Sequence, residues 1–269
     1  MKSIDLNADI GEADTPDWAE AERDILDYVT SVNIACGAHA GDTQTMRTTL
    51  LNAKLANVAI GAHPSYPDRE NFGRRSMQLG LDISETVLRD SLKHQITDLI
   101  TLANEVGTRV TYVKPHGALY NDAVTNPDTA RLIAQTLHEI DPNLIFMGAP
   151  DSEMTKGAAT FNLSFIAEGF IDRRYTDGGH LQNRKQAGAV IEAQDARLAQ
   201  ALSLATANSV ITTTGQTLTL QAQSLCLHGD SAGAVETARL VRDALEHAGL
   251  TIQRFAHFDK PAPQKSQSL

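Results

Sequence analysis

Cysteine is scarce: the chain has two, Cys36 and Cys226, far apart and each in or at the end of an apolar run. No CxxC pair exists, so a cysteine-rich zinc site is excluded. A reducing cytoplasm is the expected compartment. Long apolar runs are also missing. No stretch of about 18 uninterrupted apolar residues occurs, so nothing is expected to span a membrane. The opening residues MKSIDLNADIGEAD turn acidic at once and lack an apolar h-region, so no signal peptide is expected. Positive charge is in deficit, with a net charge of -10 and a pI of about 5.3. That balance disfavours nucleic acid and anionic membranes as partners, and solubility alone accounts for it; a small-molecule substrate is expected instead. Three nucleotide and hydrolase signatures are absent too. There is no Walker A sequence, no GxGxxG after a strand and no GxSxG elbow.

What is present fits an α/β protein. The 269 residues are 42% apolar, enough for one large core. Short runs rich in Val, Ile and Leu recur at 3–8, 30–35, 58–62, 109–114, 143–148, 163–167 and 223–227, as buried parallel strands do. Helical patterns lie between them. Asp82 with Glu85 predicts a capping box for a helix to Val106, closed by Gly107. Asn126-Pro127 predicts a second helix start and Ser231 a third. Residues 210–221 read as a hairpin turning at Gly215. About seven βα units predict a closed or nearly closed parallel barrel over residues 1–258, with an open doubly wound sheet as the alternative. Residues 259–269 read as a disordered polar tail.

The chemistry gathers where strands end. Strand 1 delivers Asp5, Asn7, Asp9 and Glu12. Strand 2 leads to His39 and Asp42, strand 3 to His63, and strand 4 to Lys114, His116 and Asn121. The sixth leads to Glu168, Asp172, Arg173 and Arg174, and the seventh to His228 and Asp230. In parallel α/β folds that edge carries the site. Period two places Asp5, Asn7 and Asp9 on one strand face, where buried carboxylates need partners. Asp42 reads as a helix cap and Cys36 as a packed core thiol. The loop after His63, with Phe72, Gly73, Arg74 and Arg75, reads either as a lid or as a solvated connection. Its arginines suit a carboxylate or phosphate. Asp9, His39, His63 and His116 are candidate ligands for a divalent metal, but spacing does not decide between a metal set and acid–base chemistry.

The motifs DLNADIGE, VTSVNIACGAHAGD, VAIGAHPSYPD, FGRR, VKPHGALYN, EGFIDRRY and CLHGD, in this order, resemble the LamB/YcsF family. Its members are similar to the A component of the bacterial ATP-dependent 5-oxoprolinase. The resemblance implies a seven-stranded, TIM-like βα barrel related to glycoside hydrolase and deacetylase barrels. It also implies opening of the 5-oxoproline lactam to glutamate, coupled to ATP hydrolysis and shared with two other subunits. ATP with Mg2+ is then handled through the complex. On that footing Asp9, Glu12, His39, His63, Lys114 and His116 are the expected catalytic set. Asn7, Arg74, Glu168, Arg173, His228 and Asp230 are the expected substrate contacts. Ala8 and Ala38 depart from the family pattern, which usually has a cysteine and an aromatic there. Both departures are expected to bear on pocket shape. Two rival readings stay open: a metal-dependent, deacetylase-like amide hydrolase acting on a carbohydrate, and a non-catalytic binding or regulatory subunit.

Overall fold

Alternation along the first strand sets the architecture. In β1 (Ser3–Ile10), Ile4, Leu6, Ala8 and Ile10 join the main apolar cluster, while Asp5, Asn7 and Asp9 are equally buried on the opposite face. A strand buried on both faces, one apolar and one polar, fits a barrel wall with helices outside and side chains filling the interior. The structure, a computed structural model, describes residues 2–228 and 233–255. In chain order the remaining wall strands are β2 (Ser31–Ala35), β3 (Ala59–His63), β4 (Tyr112–Val113), β5 (Ile145–Gly148) and β6 (Phe165–Phe170). A hairpin of β7 (Ser209–Ile211) and β8 (Thr217–Thr219) precedes the last wall strand, β9 (Ser224–His228). Each wall strand pairs in parallel with the next, and β9 pairs with both β6 and β1. The sheet therefore closes on itself with seven strands. The expected closed barrel is present, and the open-sheet alternative is not.

The hairpin forms with antiparallel pairing, and Gly215 takes a positive φ of 86° between its strands. One short strand was not expected. β10 (Thr251–Ile252) pairs in parallel with Ser3 and Ile4 at the start of β1. β4 is shorter than its apolar run. The backbone N–H groups of Thr111, Lys114 and His116 still donate to the Ile60, Ala62 and Pro64 carbonyls along β3 and just past its end.

The outer helices are α1 (Pro16–Asp24), α2 (Thr43–Leu55), α3 (Glu85–Glu105), α4 (Gly117–Thr125), α5 (Pro127–Ile140), α6 (Glu153–Thr160), α7 (Gln194–Leu202) and α8 (Ala234–His247). Asp42 caps α2 by accepting from the Thr45 N–H at 2.7 Å. Asn126 caps α5, accepting from Asp128 and Thr129. The expected cap at Asp82 is corrected to Ser84, whose hydroxyl accepts from the Val87 N–H. Asp82 instead accepts from the Gln78 N–H and closes the turn before the helix. Ser231, Asp230 and the tail 259–269 lie outside the described residues. Among the described residues, no helix is long and apolar enough to cross a membrane.

Inside the barrel, a second apolar cluster of Ala59, Tyr112, Ile145, Met147, Ile166 and Phe255 fills the region near the strands' N-terminal ends. Gly61 is required there. A Cβ on it would stand 2.2 Å from the Tyr112 ring. This plug leaves only the C-terminal ends of the strands for a polar site.

Candidate active site

Barrel register stacks the polar side chains in layers. Asp5 is level with Ser224, Asn7 with Ser31 and Cys226, and Asp9 with Asn33 and His228. Asp5 accepts from Thr30 and Ser31 hydroxyls, and from the Ser224 hydroxyl. Burial pushes its carboxyl up to about 6 despite these bonds. It is a structural anchor below the site.

Above it sits a buried ion triad. Lys114 Nζ lies 2.9 Å from Asp9 Oδ1 and 2.8 Å from Glu168 Oε1. The Cys226 thiol stands 3.0 Å from the same ammonium, and the Phe170 ring 5.2 Å away. Asn33 donates to Asp9 Oδ1 at 2.7 Å and to Asn7 Oδ1 at 2.7 Å. Asn7 donates in turn to Ser224. Burial alone would lower the lysine, but the two carboxylates hold it well above its ordinary value. Burial likewise raises Asp9, yet His63 and Lys114 outweigh that and hold it well below the usual carboxylate range. The site thus contains a fixed ammonium and a fixed carboxylate.

Three histidines adjoin the triad. The His63 Nε2 atom is 3.3 Å from Asp9 Oδ2 and 3.0 Å from His116 Nδ1. His39 lies flat against His116, with ring centroids 3.8 Å apart, and its Nε2 is 3.0 Å from Glu12 Oε1. Burial, then neighbouring histidines, lower both His39 and His116 well below the ordinary imidazole value, so both rings are neutral at pH 7. Glu12 is positioned by its own backbone. The Glu22 carboxylate accepts from the N–H groups of Gly11 and Glu12 at 2.8 and 2.9 Å.

The loop after β3 packs its half-buried Phe72 and buried Gly73 against the histidines, while residues 69–71 and 74–76 are exposed. Phe72 takes a left-handed φ of 54°, which turns its carbonyl onto His116 Nε2 at 3.0 Å. Gly73 then passes between the rings. A Cβ there would stand 3.1 Å from both His116 Cδ2 and His39 Cβ.

These groups form the floor and one wall of a cavity of about 790 Å³. Asp9, His63, Lys114, His116 and His228 reach it directly, and Arg74, Arg75, Arg173, Arg184 and Lys185 line it with positive charge. Five cations on one opening of an acidic protein select for an anionic ligand. Asn7 and Glu168 hold Lys114 from below the cavity, and Glu12 and His39 stand behind His116. His228 pairs with Asp172, its Nδ1 2.8 Å from Oδ2. Arg173 donates to the Gln182 carbonyl, and Arg74 lies over the Phe72 ring, 4.6 Å from its centroid. Ala8 packs in the outer apolar layer, so that departure from the family pattern does not touch the cavity.

Sequence reasoning missed Glu22, Arg184 and Lys185. The pair Arg184-Lys185 carried a signal, because it adds two cations to the loop after β6, which already held Arg173 and Arg174. Glu22 carried none, since nothing local marks a helical glutamate as a backbone acceptor. Among the described residues, Glu12, His63 and His116 each offer one ligand atom, all within 4.8 Å of one another.

The chain matches the LamB/YcsF family over residues 4–260. It is 42% identical to a protein of Nocardia farcinica named as the A component of 5-oxoprolinase, over 94% of this chain and 99% of that one. It is 41% identical to the protein of that name from Brevibacillus brevis, over 95% and 100%. Among solved structures, the lactam utilization protein from Thermus thermophilus superposes with a TM-score of 0.84 at 34% identity, over 94% of this chain and all of that one. Family match, near full-length identity and superposed barrel agree, and the chain belongs to the LamB/YcsF family.

Proposed function

We propose that this chain is the lactam-opening subunit of an ATP-dependent 5-oxoprolinase, converting 5-oxoproline to L-glutamate within a cytoplasmic complex with two other subunits. The observation that carries the reading is the cavity itself: a cationic mouth over a floor of Lys114, Asp9, His63 and His116. An anionic substrate with an amide at its other end fits that division. Arginines at the mouth hold the carboxylate by paired hydrogen bonds. Lys114, kept charged by Asp9 and Glu168, faces the ring carbonyl oxygen as negative charge develops there.

An unstrained lactam resists water, so ATP activates it. In this reading the γ-phosphoryl group passes to the amide oxygen and ADP leaves, with Mg2+ and nucleotide handled through the complex. Water adds to the ring carbon, and the neutral His116 at the floor takes its proton. The carbon–nitrogen bond then breaks and the proton returns to the departing amine. A second water releases phosphate and leaves the γ-carboxylate of glutamate. Asp9 serves as a fixed charge in this scheme, because a carboxyl held so low is a weak base. The cavity is larger than 5-oxoproline needs, which leaves room at the mouth for a phosphoryl donor or a partner's loop.

The test is ATP-dependent cleavage of 5-oxoproline by the purified chain, with and without the candidate partner subunits. Turnover only in the assembled complex supports the reading. A metal-dependent amide hydrolase acting alone is the second reading, favoured by the meeting of Glu12, His63 and His116. Turnover of an amide without ATP or partners would establish it instead.

A further inference from the structure

Two hydrogen bonds fix the tautomers of His63 and His116. His63 Nδ1 lies 2.7 Å from the Lys114 carbonyl, and His116 Nε2 lies 3.0 Å from the Phe72 carbonyl. A carbonyl oxygen only accepts, so each of these nitrogens carries the proton. In a neutral ring the other nitrogen then presents a lone pair. Those two nitrogens, His63 Nε2 and His116 Nδ1, face each other at 3.0 Å. A carboxylate oxygen joins them: Glu12 Oε1 is 3.4 Å from His116 Nδ1 and 4.0 Å from His63 Nε2. Three electron-rich atoms therefore point at one small volume, in residues at most 6% exposed.

With both rings neutral, a cation between the atoms would satisfy all three, and Asp9 Oδ2, 3.3 Å from His63 Nε2, adds negative charge beside it. One proton shared by the two imidazoles would relieve a single edge. It would leave Glu12 aimed at the same point, and Glu12 is held there from two sides by His39 at its carboxylate and Glu22 at its backbone. Ligands about 2.1 Å from a tetrahedral Zn2+ stand about 3.4 Å from one another, and the three separations bracket that edge. Ring N–H groups donated to backbone carbonyls are the support that metal-binding histidines usually have. Two imidazoles and one carboxylate suit a borderline transition ion and not Mg2+ or Ca2+, which prefer oxygen.

We infer that Glu12, His63 and His116 form a binding site for one divalent transition-metal ion of the zinc type, at the cavity floor beside Asp9. His39 and Glu22 are its positioning residues, acting through Glu12. The ion would share the wall with His63 and His116, which reach the cavity, and would supply a Lewis acid there. The readout is binding and not turnover, which keeps the inference separable from the 5-oxoprolinase reading; an ion there would occupy the His116 Nδ1 lone pair, so His116 acts as a base only in the metal-free chain.

The test uses the full chain, stripped with a chelator and titrated with Co2+ as a visible probe, then with Zn2+. One equivalent of Co2+ should bind with a d–d spectrum of nitrogen and oxygen ligands, and Zn2+ should displace it and raise Tm. Glu12→Gln and His116→Asn, each first shown to fold by circular dichroism, should weaken binding roughly a hundredfold or more. His94→Asn, on the exposed face of α3, should bind as the wild type does. Nitrogen-15 NMR of the unsubstituted chain gives an independent reading: His63 Nε2 and His116 Nδ1 should shift on adding Zn2+. Absence of saturable one-equivalent binding, binding unchanged in Glu12→Gln, or a proton shared by the two rings that Zn2+ does not displace would each overturn the inference.

Discussion

The His39 and His116 rings lie parallel within 1°, with centroids 3.8 Å apart, and both come from loops that follow barrel strands. Stacking fixes His116 on one face, the Phe72 carbonyl fixes its Nε2, and His63 meets its Nδ1. Every degree of freedom of this ring is thus used, as a group working at a defined distance requires.

Gly73 guards that arrangement. Its φ of 60° is left-handed, and an added Cβ would stand 3.0 Å from the Ser65 Cβ as well as 3.1 Å from both histidines. Gly73→Ala should therefore displace the His39–His116 pair while leaving the barrel folded. The expected outcome is an activity loss of tenfold or more, roughly what a 1.4 kcal/mol change in the barrier gives. The Tm should fall only a few degrees, as about 1 kcal/mol of backbone strain implies. Steady-state kinetics and calorimetry on the same preparation check both.

Lys114 is the keystone of the buried charges. Replacing it with Met fills similar volume but leaves Asp9 and Glu168 facing each other without a cation. Removing one partner of a buried ion pair costs about 3–5 kcal/mol. Lys114→Met should lower unfolding free energy in urea by that order, and Glu168→Gln in the same background should restore part of it. Equal stability of Lys114→Met and wild type would contradict the ion triad.

The Asp172–His228 pair predicts a pH window. Burial raises Asp172, but the His228 charge and the hydrogen bonds from its ring and backbone overcome that and bring Asp172 to about 2. Burial lowers His228, yet Asp172 outweighs it and raises the imidazole above its ordinary 6.5. A depressed carboxyl stabilises above its unfolded value near 3.8 and loses this as pH falls towards 2. A raised imidazole stabilises fully below 6.5 and loses this as pH climbs through its folded value. The pair therefore contributes most between about pH 4 and 6.5. The Tm difference between wild type and Asp172→Asn should be largest at about pH 5–6 and smaller at about pH 9. A difference that grows with pH would show the sign to be wrong.

Neither cysteine should react in the folded chain. Both thiols are free and buried. Burial pushes Cys36 up to about 12 and Cys226 well above its ordinary value, so neither supplies a thiolate at neutral pH. Ellman's reagent should detect no thiol in the native protein and both after denaturation.

Much of this was legible in the sequence because periodicity and strand-end chemistry are local. The alternation of Asp5, Asn7 and Asp9 with Ile4, Leu6 and Ala8 already assigned the two faces of β1. Pro115 and the glycines marked where strands give way to loops. What could not be read depends on closure. Nothing near Lys114 announces that Glu168, from a strand two places round the barrel, will meet its ammonium. The tautomers of His63 and His116 are set by the carbonyls of Lys114 and Phe72, whose directions only the folded backbone defines. Ser84 displaced Asp82 as a cap because Asp82 had a nearer donor at Gln78. Two-residue β10 was invisible because Thr251 and Ile252 carry no pattern of their own.

The central claim is tested most directly by His116→Ala in the assembled complex, assayed for ATP-dependent conversion of 5-oxoproline to glutamate. With assembly and circular dichroism unchanged, turnover should fall by about two to four orders of magnitude, the usual contribution of a positioned acid–base group. Near-normal turnover by this variant would contradict the account.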